Sequence, residues 1–382
     1  MVRSARGAAP LLAVTVSALL WACAAPLHLN DMQVIATHNS YKQHIDPAIM
    51  GPLVSSFPQL ARELDYGHEP LAVQLERGVR GFELDVYYDP RGGRFARPPV
   101  LDGLKAAGLA LSARFDPQGE LLAPGFKVLH RPDVDFFSTC LTLQRCLRAL
   151  RVWSSAHPRH VPIVVTMNVK DELAAAHAPH APHAPHAPTD AADGGPRVDA
   201  AAWDALDREI AQGIGRERLF TPDDLRGEHD SLADAALSEA WPELDAARGK
   251  LLFVIDEGRE KIASYAAGHP ALRGRMLFVN ALEGRAEAAV RIVNEPLEQR
   301  DYIAELVAQG YLVRTRADAN TEEGRSGDGR RREAALGSGA QLITTDYPEP
   351  DPRLGTGYSV ELPGGAVARC NPVRLPACRI EE

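Results

Sequence analysis

Short apolar runs recur along the whole chain, and each breaks off at a polar residue. Eight are strand-sized: Val34–Thr37, Gly81–Tyr87, Phe126–Leu129, Ile163–Asn168, Leu251–Asp256, Met276–Val279, Tyr311–Thr315 and Gln341–Thr345. They are β-branched and nearly continuous in apolar character, which suits strands buried on both faces of a parallel sheet. Helical patterns lie between them, at Leu141–Ala156, Trp203–Gly213, Leu297–Gln309 and Arg330–Leu336, several ending at Gly or Pro. Eight strands in strand-then-helix order predict the α/β class and a TIM-type (β/α)8 barrel, complete or distorted. With insertions, such a barrel accommodates 382 residues. The connection after the fourth strand is enlarged: from Leu173 to about Val198 it carries a His-Ala-Pro repeat. Pro at every third position blocks helix and sheet pairing, so this low-complexity insertion reads as an extended surface loop, and its four His are set aside as catalytic candidates.

The polar residues at the strand ends are more specific. Thr37 leads into His38 and Asn39, Leu129 into His130, and Met167 into Asn168 with Lys170 and Asp171 beyond it. Ile255 leads into Asp256-Glu257, Val279 into Asn280, Val313 into Arg314 and Arg316, and Thr345 into Asp346. Glu83 and Asp85 are two apart on one strand and so share a face. In a barrel all these positions gather on the C-terminal face, where active sites are built. One polar residue at a strand end is ordinary turn chemistry; eight such ends, with two His among them, describe a site.

The residue types narrow the chemistry. Asn39, Glu83, Asp85 and Asn168 offer hard oxygens, which suit Ca²⁺ ahead of Mg²⁺ and either ahead of zinc. His38 and His130 suit a general acid and base, the role that imidazole side chains most often fill, while Lys170 and Arg314 suit a phosphate. A hard cation beside two acid–base His fits cleavage of a phosphodiester. The balance of 42 Lys+Arg against 51 Asp+Glu, a net −9, argues against a nucleic-acid partner but not against one phosphate held by a cation.

Taken in order, Thr37-His38-Asn39-Ser40-Tyr41, Gly81-Phe-Glu-Leu-Asp85 and Val128-Leu-His130 resemble the catalytic half of phosphatidylinositol-specific phospholipases C. Ser138-Thr-Cys-Leu-Thr142, Val313–Asp318 and Gly339–Tyr347 extend the likeness, over roughly residues 31 to 353, to the calcium-dependent phosphoinositide-specific phospholipase C-like family of secreted bacterial and fungal enzymes. The resemblance implies a TIM-type barrel, one Ca²⁺ on Asn39, Glu83 and Asp85, and His38 and His130 as the catalytic pair. It further implies an inositol phospholipid substrate met at a membrane surface, by a chain expected to act as a monomer. The family carries an acid where this chain has Asn168, so one ligand here supplies oxygen without charge. Two other functions fit parts of the pattern. A glycerophosphodiester phosphodiesterase shares the barrel and paired acids but begins with His-Arg-Gly, where this chain has His38-Asn39-Ser40. A non-catalytic lipid- or sugar-binding barrel would need neither His.

The chain begins with a basic start, an apolar run from Ala8 to Ala25 and small residues after it, which reads as an export signal over residues 1–25. Ala22-Cys23-Ala24 is either a cleavage site or a lipid-attachment site at Cys23. The mature chain, 26–382, is then expected to be one phosphodiesterase barrel, secreted or periplasmic. Setting Cys23 aside leaves four Cys in an oxidising compartment. Of the three possible connectivities the local one, Cys140–Cys146 with Cys370–Cys378, is expected.

Overall fold

A computed structural model describes residues 26–170, 198–375 and 378–382; residues 1–25, expected to be an export signal, and almost all of the His-Ala-Pro insertion, with Asp171, fall outside them. The strands, in chain order, are β1 Met32–Thr37, β2 Gly81–Asp89, β3 Gly125–Val128, β4 Ile163–Lys170, β5 Leu251–Ile255, β6 Phe278–Val279, β7 Val290–Ile292, β8 Leu312–Arg316, β9 Leu342–Thr345 and β10 Ala368–Cys370. Eight run parallel in the order β6-β5-β4-β2-β1-β9-β8-β7. The ring closes between β6 and β7 by a single parallel bridge, Asn280 to Val290, reinforced by the Ile292 N–H donating to Asn280 Oδ1 at 3.1 Å. The result is a nearly closed TIM-type barrel with helices around it. Its core is as apolar as the sequence required: all of Leu251–Ile255 and Leu342–Thr345 is buried.

The junction of β1 and β2 depends on one glycine. Only Ala36 and Gly81 pair there, and a Cβ on Gly81 would stand 2.4 Å from that of Ala36, a distance real side chains do not tolerate.

Two strand assignments change. Phe126–Leu129 is not a barrel strand: β3 folds back antiparallel on β2, with Val128 opposite Val86 and Gly125 opposite Asp89. Its hydrophobic residues pack on the outer part of β2 rather than in the ring. The missing barrel strand is β7, whose three residues are too short to show a period. The insertion therefore comes after the third barrel strand, not the fourth. Helices match the pattern closely: Leu143–Ala156, Ala200–Ile214, Pro296–Ala308 and Arg330–Gly337. β10 pairs antiparallel with β1 and was not visible in the sequence. Both local cysteine pairs are bonded, with Cα–Cα separations of 5.3 Å for Cys140–Cys146 and 5.7 Å for Cys370–Cys378.

Candidate active site

The turn after β1 is fixed before any of its side chains acts. The His38 N–H donates to the Thr345 carbonyl at 3.0 Å, tying the end of β1 to β9. Ser40 locks the turn onto β2: its N–H donates to the Glu83 carbonyl at 3.0 Å, and its hydroxyl accepts from the Glu83 N–H at 2.8 Å. Asn39 sits between them at φ +48°, a left-handed conformation that Asn tolerates better than most residues.

Each predicted His is backed by a buried carboxylate. His38 Nδ1 lies 2.7 Å from Asp346 Oδ1, and His130 Nδ1 lies 2.7 Å from Asp135 Oδ2. An ionised carboxylate only accepts, so each Nδ1 carries the proton and each Nε2 is left for chemistry. His38 Nε2 is 3.5 Å from Glu83 Oε1. Burial alone would raise the Asp346 pKa, but His38 and then Arg316, whose guanidinium is 3.6 Å away, hold it below the usual range. The two pairs are joined through Lys42. Its fully buried ammonium is 3.4 Å from Asp135 Oδ2 and donates to the Leu64 and Tyr66 carbonyls at 2.9 and 2.5 Å. The Tyr66 hydroxyl in turn reaches His38 Nδ1 at 3.2 Å. His68 Nε2 donates to the His38 carbonyl at 2.8 Å; burial pushes its pKa down to about 4, so it is neutral in this role.

The oxygen set lies between the two His. Asp85 faces Asn168 in register across β2 and β4, and Glu83 and Asp85 are both buried. The basic residues expected at a phosphate are found on these carboxylates. Arg314 bridges Glu83 and Asp256, at 3.0 Å to the latter, and donates to Thr344 Oγ1 at 2.9 Å. Lys170 is 3.4 Å from Asp85. Burial works to raise the Glu83 pKa, yet the charges of Arg314 and His38 hold it below the usual range. At Asp85 burial prevails over Lys170 and the pKa is raised.

The donor set fits a hard cation. Among the described residues no three His, Cys, Asp or Glu side chains converge as metal ligands, so a cation would draw on the amides as well. Both amides are oriented for it. Asn39 spends its Nδ2 on the Tyr66 hydroxyl at 2.7 Å while its Oδ1 accepts a long bond from the Tyr41 hydroxyl at 3.4 Å, and Asn168 spends its Nδ2 on the Asp256 carbonyl at 3.3 Å; a cation would use the remaining amide lone pairs with the two carboxylates. Lys170, its side chain 38% exposed, has room to move off Asp85.

Sequence reasoning missed Asp135, Lys42, Tyr66 and His68. Asp135 sits in an ordinary turn composition, Arg131-Pro-Asp-Val-Asp135; only its five-residue distance from His130 could have drawn notice. Asp346 was visible as a strand end but not as the partner of a residue 308 positions away.

The site is thus a nearly closed parallel barrel whose C-terminal rim carries two carboxylate-backed imidazoles around an acidic pair. The sequence profile of the Ca²⁺-dependent phosphoinositide phospholipase C family matches residues 27–372, and the chain belongs to that family. No curated protein matches it. Among solved structures it is similar to a calcium-dependent phosphoinositol-specific phospholipase C from Pseudomonas sp., at 16% identity over 90% of this chain and 96% of that one, TM-score 0.51. It is similar also to a Ca²⁺-dependent phosphatidylinositol-specific phospholipase C from Streptomyces antibioticus, at 17% identity over 84% and 95%, TM-score 0.50. At these identities the likeness bears on the fold.

Proposed function

We propose that this chain is an exported phosphodiesterase that cleaves phosphatidylinositol-type lipids by histidine acid–base catalysis at a membrane surface. The observation that carries the reading is the pair of carboxylate-backed imidazoles, His38–Asp346 and His130–Asp135, on one rim of the barrel. Family membership supports the substrate class, and the Pseudomonas protein was solved as a myoinositol complex. Two disulfides support an oxidising destination.

His38 Nε2, with its Nδ1–H held by Asp346, takes the proton of the inositol 2-hydroxyl as that oxygen attacks phosphorus. The bond from phosphorus to the diacylglycerol oxygen breaks, and His130 Nε2–H delivers a proton to that oxygen. Diacylglycerol leaves, and an inositol cyclic phosphate remains. Asp135 keeps His130 turned toward the leaving group, as the carboxylate of a serine-protease triad does for its His. Arg314 and Lys170 add positive charge beside the phosphoryl oxygens. When bound on Asn39, Glu83, Asp85 and Asn168, Ca²⁺ would supply further positive charge there.

The test is an assay of phosphatidylinositol against glycerophosphocholine with Ca²⁺ titration. Phosphatidylinositol turnover should disappear in His38→Ala and in His130→Ala, and be lost reversibly on chelation. Turnover of glycerophosphocholine alone, or activity surviving in either variant, would overturn the reading.

A further inference from the structure

Behind the catalytic turn, on the outer wall of the barrel, lies a cavity of 540 Å³ that the chemistry above does not use. It forms because no α-helix follows β9 among the described residues. The sequence forbids one at that point: Asp346-Tyr-Pro-Glu-Pro-Asp-Pro352 has proline at alternate positions, each without the N–H that a helix needs. The chain crosses the wall instead as an irregular strap, closed on itself by the Val360 N–H, which donates to the Tyr347 carbonyl at 2.9 Å. Opposite the strap stand the helix Leu71–Glu76 and the turn after it, and Arg77 pairs with Glu349 from one wall to the other. Buried Ile35, Val79, Val360 and Leu362 supply an apolar lining.

The charged lining is lopsided. It holds five carboxylates, those of Glu69, Asp346, Glu349, Asp351 and Glu361, against one guanidinium, that of Arg77. Burial lowers the pKa of both imidazoles there, His44 and His68, so neither offsets the surplus. Arg77 takes Glu349, Arg353 takes Asp351 at 2.6 Å and His38 takes Asp346. The exposed carboxylates of Glu69 and Glu361 have no partner among the described residues. His68 adds a second, independent vacancy. Its Nε2–H is spent on the His38 carbonyl, so its Nδ1 is an acceptor, and no donor among the described residues meets it. An apolar slot with surplus negative charge and an unused acceptor complements a ligand with a hydrocarbon stem and N–H-bearing cationic ends.

The cavity also reaches the catalytic turn from behind. Asp346, which orients His38, is part of its lining, and so are Tyr66 and His68, which hold the Asn39 amide and the His38 carbonyl. We infer that this cavity is a regulatory site for an aliphatic diammonium or polyammonium ligand, and that its occupancy slows turnover. One ammonium beside Asp346 shares that carboxylate with His38 Nδ1 and loosens the imidazole, while the other meets Glu69 and Glu361 at the mouth. The binding stands apart from the phosphodiesterase reading; the effect on turnover rests on it.

The experiment titrates hexamethylenediamine into the full chain by calorimetry, with Ca²⁺ at saturation, and uses the diol of the same length as the uncharged probe. Turnover of a water-soluble inositol phosphodiester is followed in parallel. The diamine should bind one to one, more weakly at high salt, and lower kcat with KM unchanged; the diol should do neither. Glu69→Gln/Glu361→Gln should keep wild-type turnover in the absence of diamine and lose on the order of tenfold or more in diamine affinity. Glu260→Gln/Asp301→Asn, at two exposed acids outside the cavity, should bind the diamine like wild type. The inference is overturned if the diamine binds no better than the diol, if Glu69→Gln/Glu361→Gln binds it like wild type, or if Glu260→Gln/Asp301→Asn loses as much. Inhibition competitive with the diester would place the diamine on the catalytic rim and also overturn it. Failure of wild type to cleave any inositol diester would instead strike the phosphodiesterase reading, and calorimetry would still decide the site.

Discussion

Lys42→Met removes a single buried charge that serves both imidazoles. The Lys42 side chain is fully buried, with Nζ 3.4 Å from Asp135, on three backbone carbonyls, those of Gln43, Leu64 and Tyr66, and 4.5 Å from the centre of the Tyr66 ring. Burial pushes its pKa down while Asp135 pushes back. Met fills the same stem volume, so the change isolates the charge. It leaves Asp135 buried with His130 as its remaining ionic partner, and it leaves the Leu64 and Tyr66 carbonyls without that donor. Breaking a buried pair from one side typically costs about 3–5 kcal/mol. Against a total stability of about 5–15 kcal/mol the variant should still fold. Its Tm should fall by roughly 5–15 °C. Turnover should fall further than the stability loss explains, because both Asp135 and the Tyr66 loop lose a fixed neighbour. The decisive measurement is a cycle with Asp135→Asn, tracking Tm and kcat/KM. Once both charges are gone no uncompensated ion is left, so the double variant should be more stable than the sum of the single losses by about 1–3 kcal/mol. Additive losses, or a Lys42→Met protein within about 0.5 kcal/mol of wild type, would refute the claim that this ion pair organises the site.

Asp346→Asn keeps the shape but gives up the charged, acceptor-only carboxylate that orients His38; kcat should drop by on the order of 10⁴, as for the triad carboxylate of serine proteases, and a loss below about tenfold would detach His38 from Asp346. Asp318 carries a pH signature: burial and the nearby Asp346 charge raise its pKa to about 7, whereas an unfolded Asp titrates near 4. Folding therefore retains a proton between those values, and this group's contribution to stability declines as pH rises through that window. Relative to wild type, Asp318→Asn should gain Tm from pH 5 to about pH 7 and level off above it, and a constant difference would contradict the assignment. Asn168→Asp places a third carboxylate opposite Asp85 and should tighten Ca²⁺ binding by roughly tenfold in calorimetry; unchanged affinity would remove position 168 from the ligand set.

The sequence by itself determined the barrel, because strands buried on both faces must be apolar throughout and so announce themselves. It also determined where His38, Glu83 and Asp85 would gather, since strands of one direction share a face; His130 joins them by another route, from a strand that folds back antiparallel on β2. The disulfides were legible for the related reason that their partners are six and eight residues apart. Where the information was not local, the reading failed. Phe126–Leu129 and Val290–Ile292 differ in what they pair with, and hydrogen-bond partners leave no trace in a four-residue composition. Lys170 and Arg314 were expected at a phosphate from their positions after the strands; only three-dimensional packing decides that they stand on Asp85 and Glu83. The carboxylates behind the two His, and the ammonium that joins them, were likewise settled by packing. A buried charge needs a partner in space, and the chain meets that need from whichever element the fold brings near.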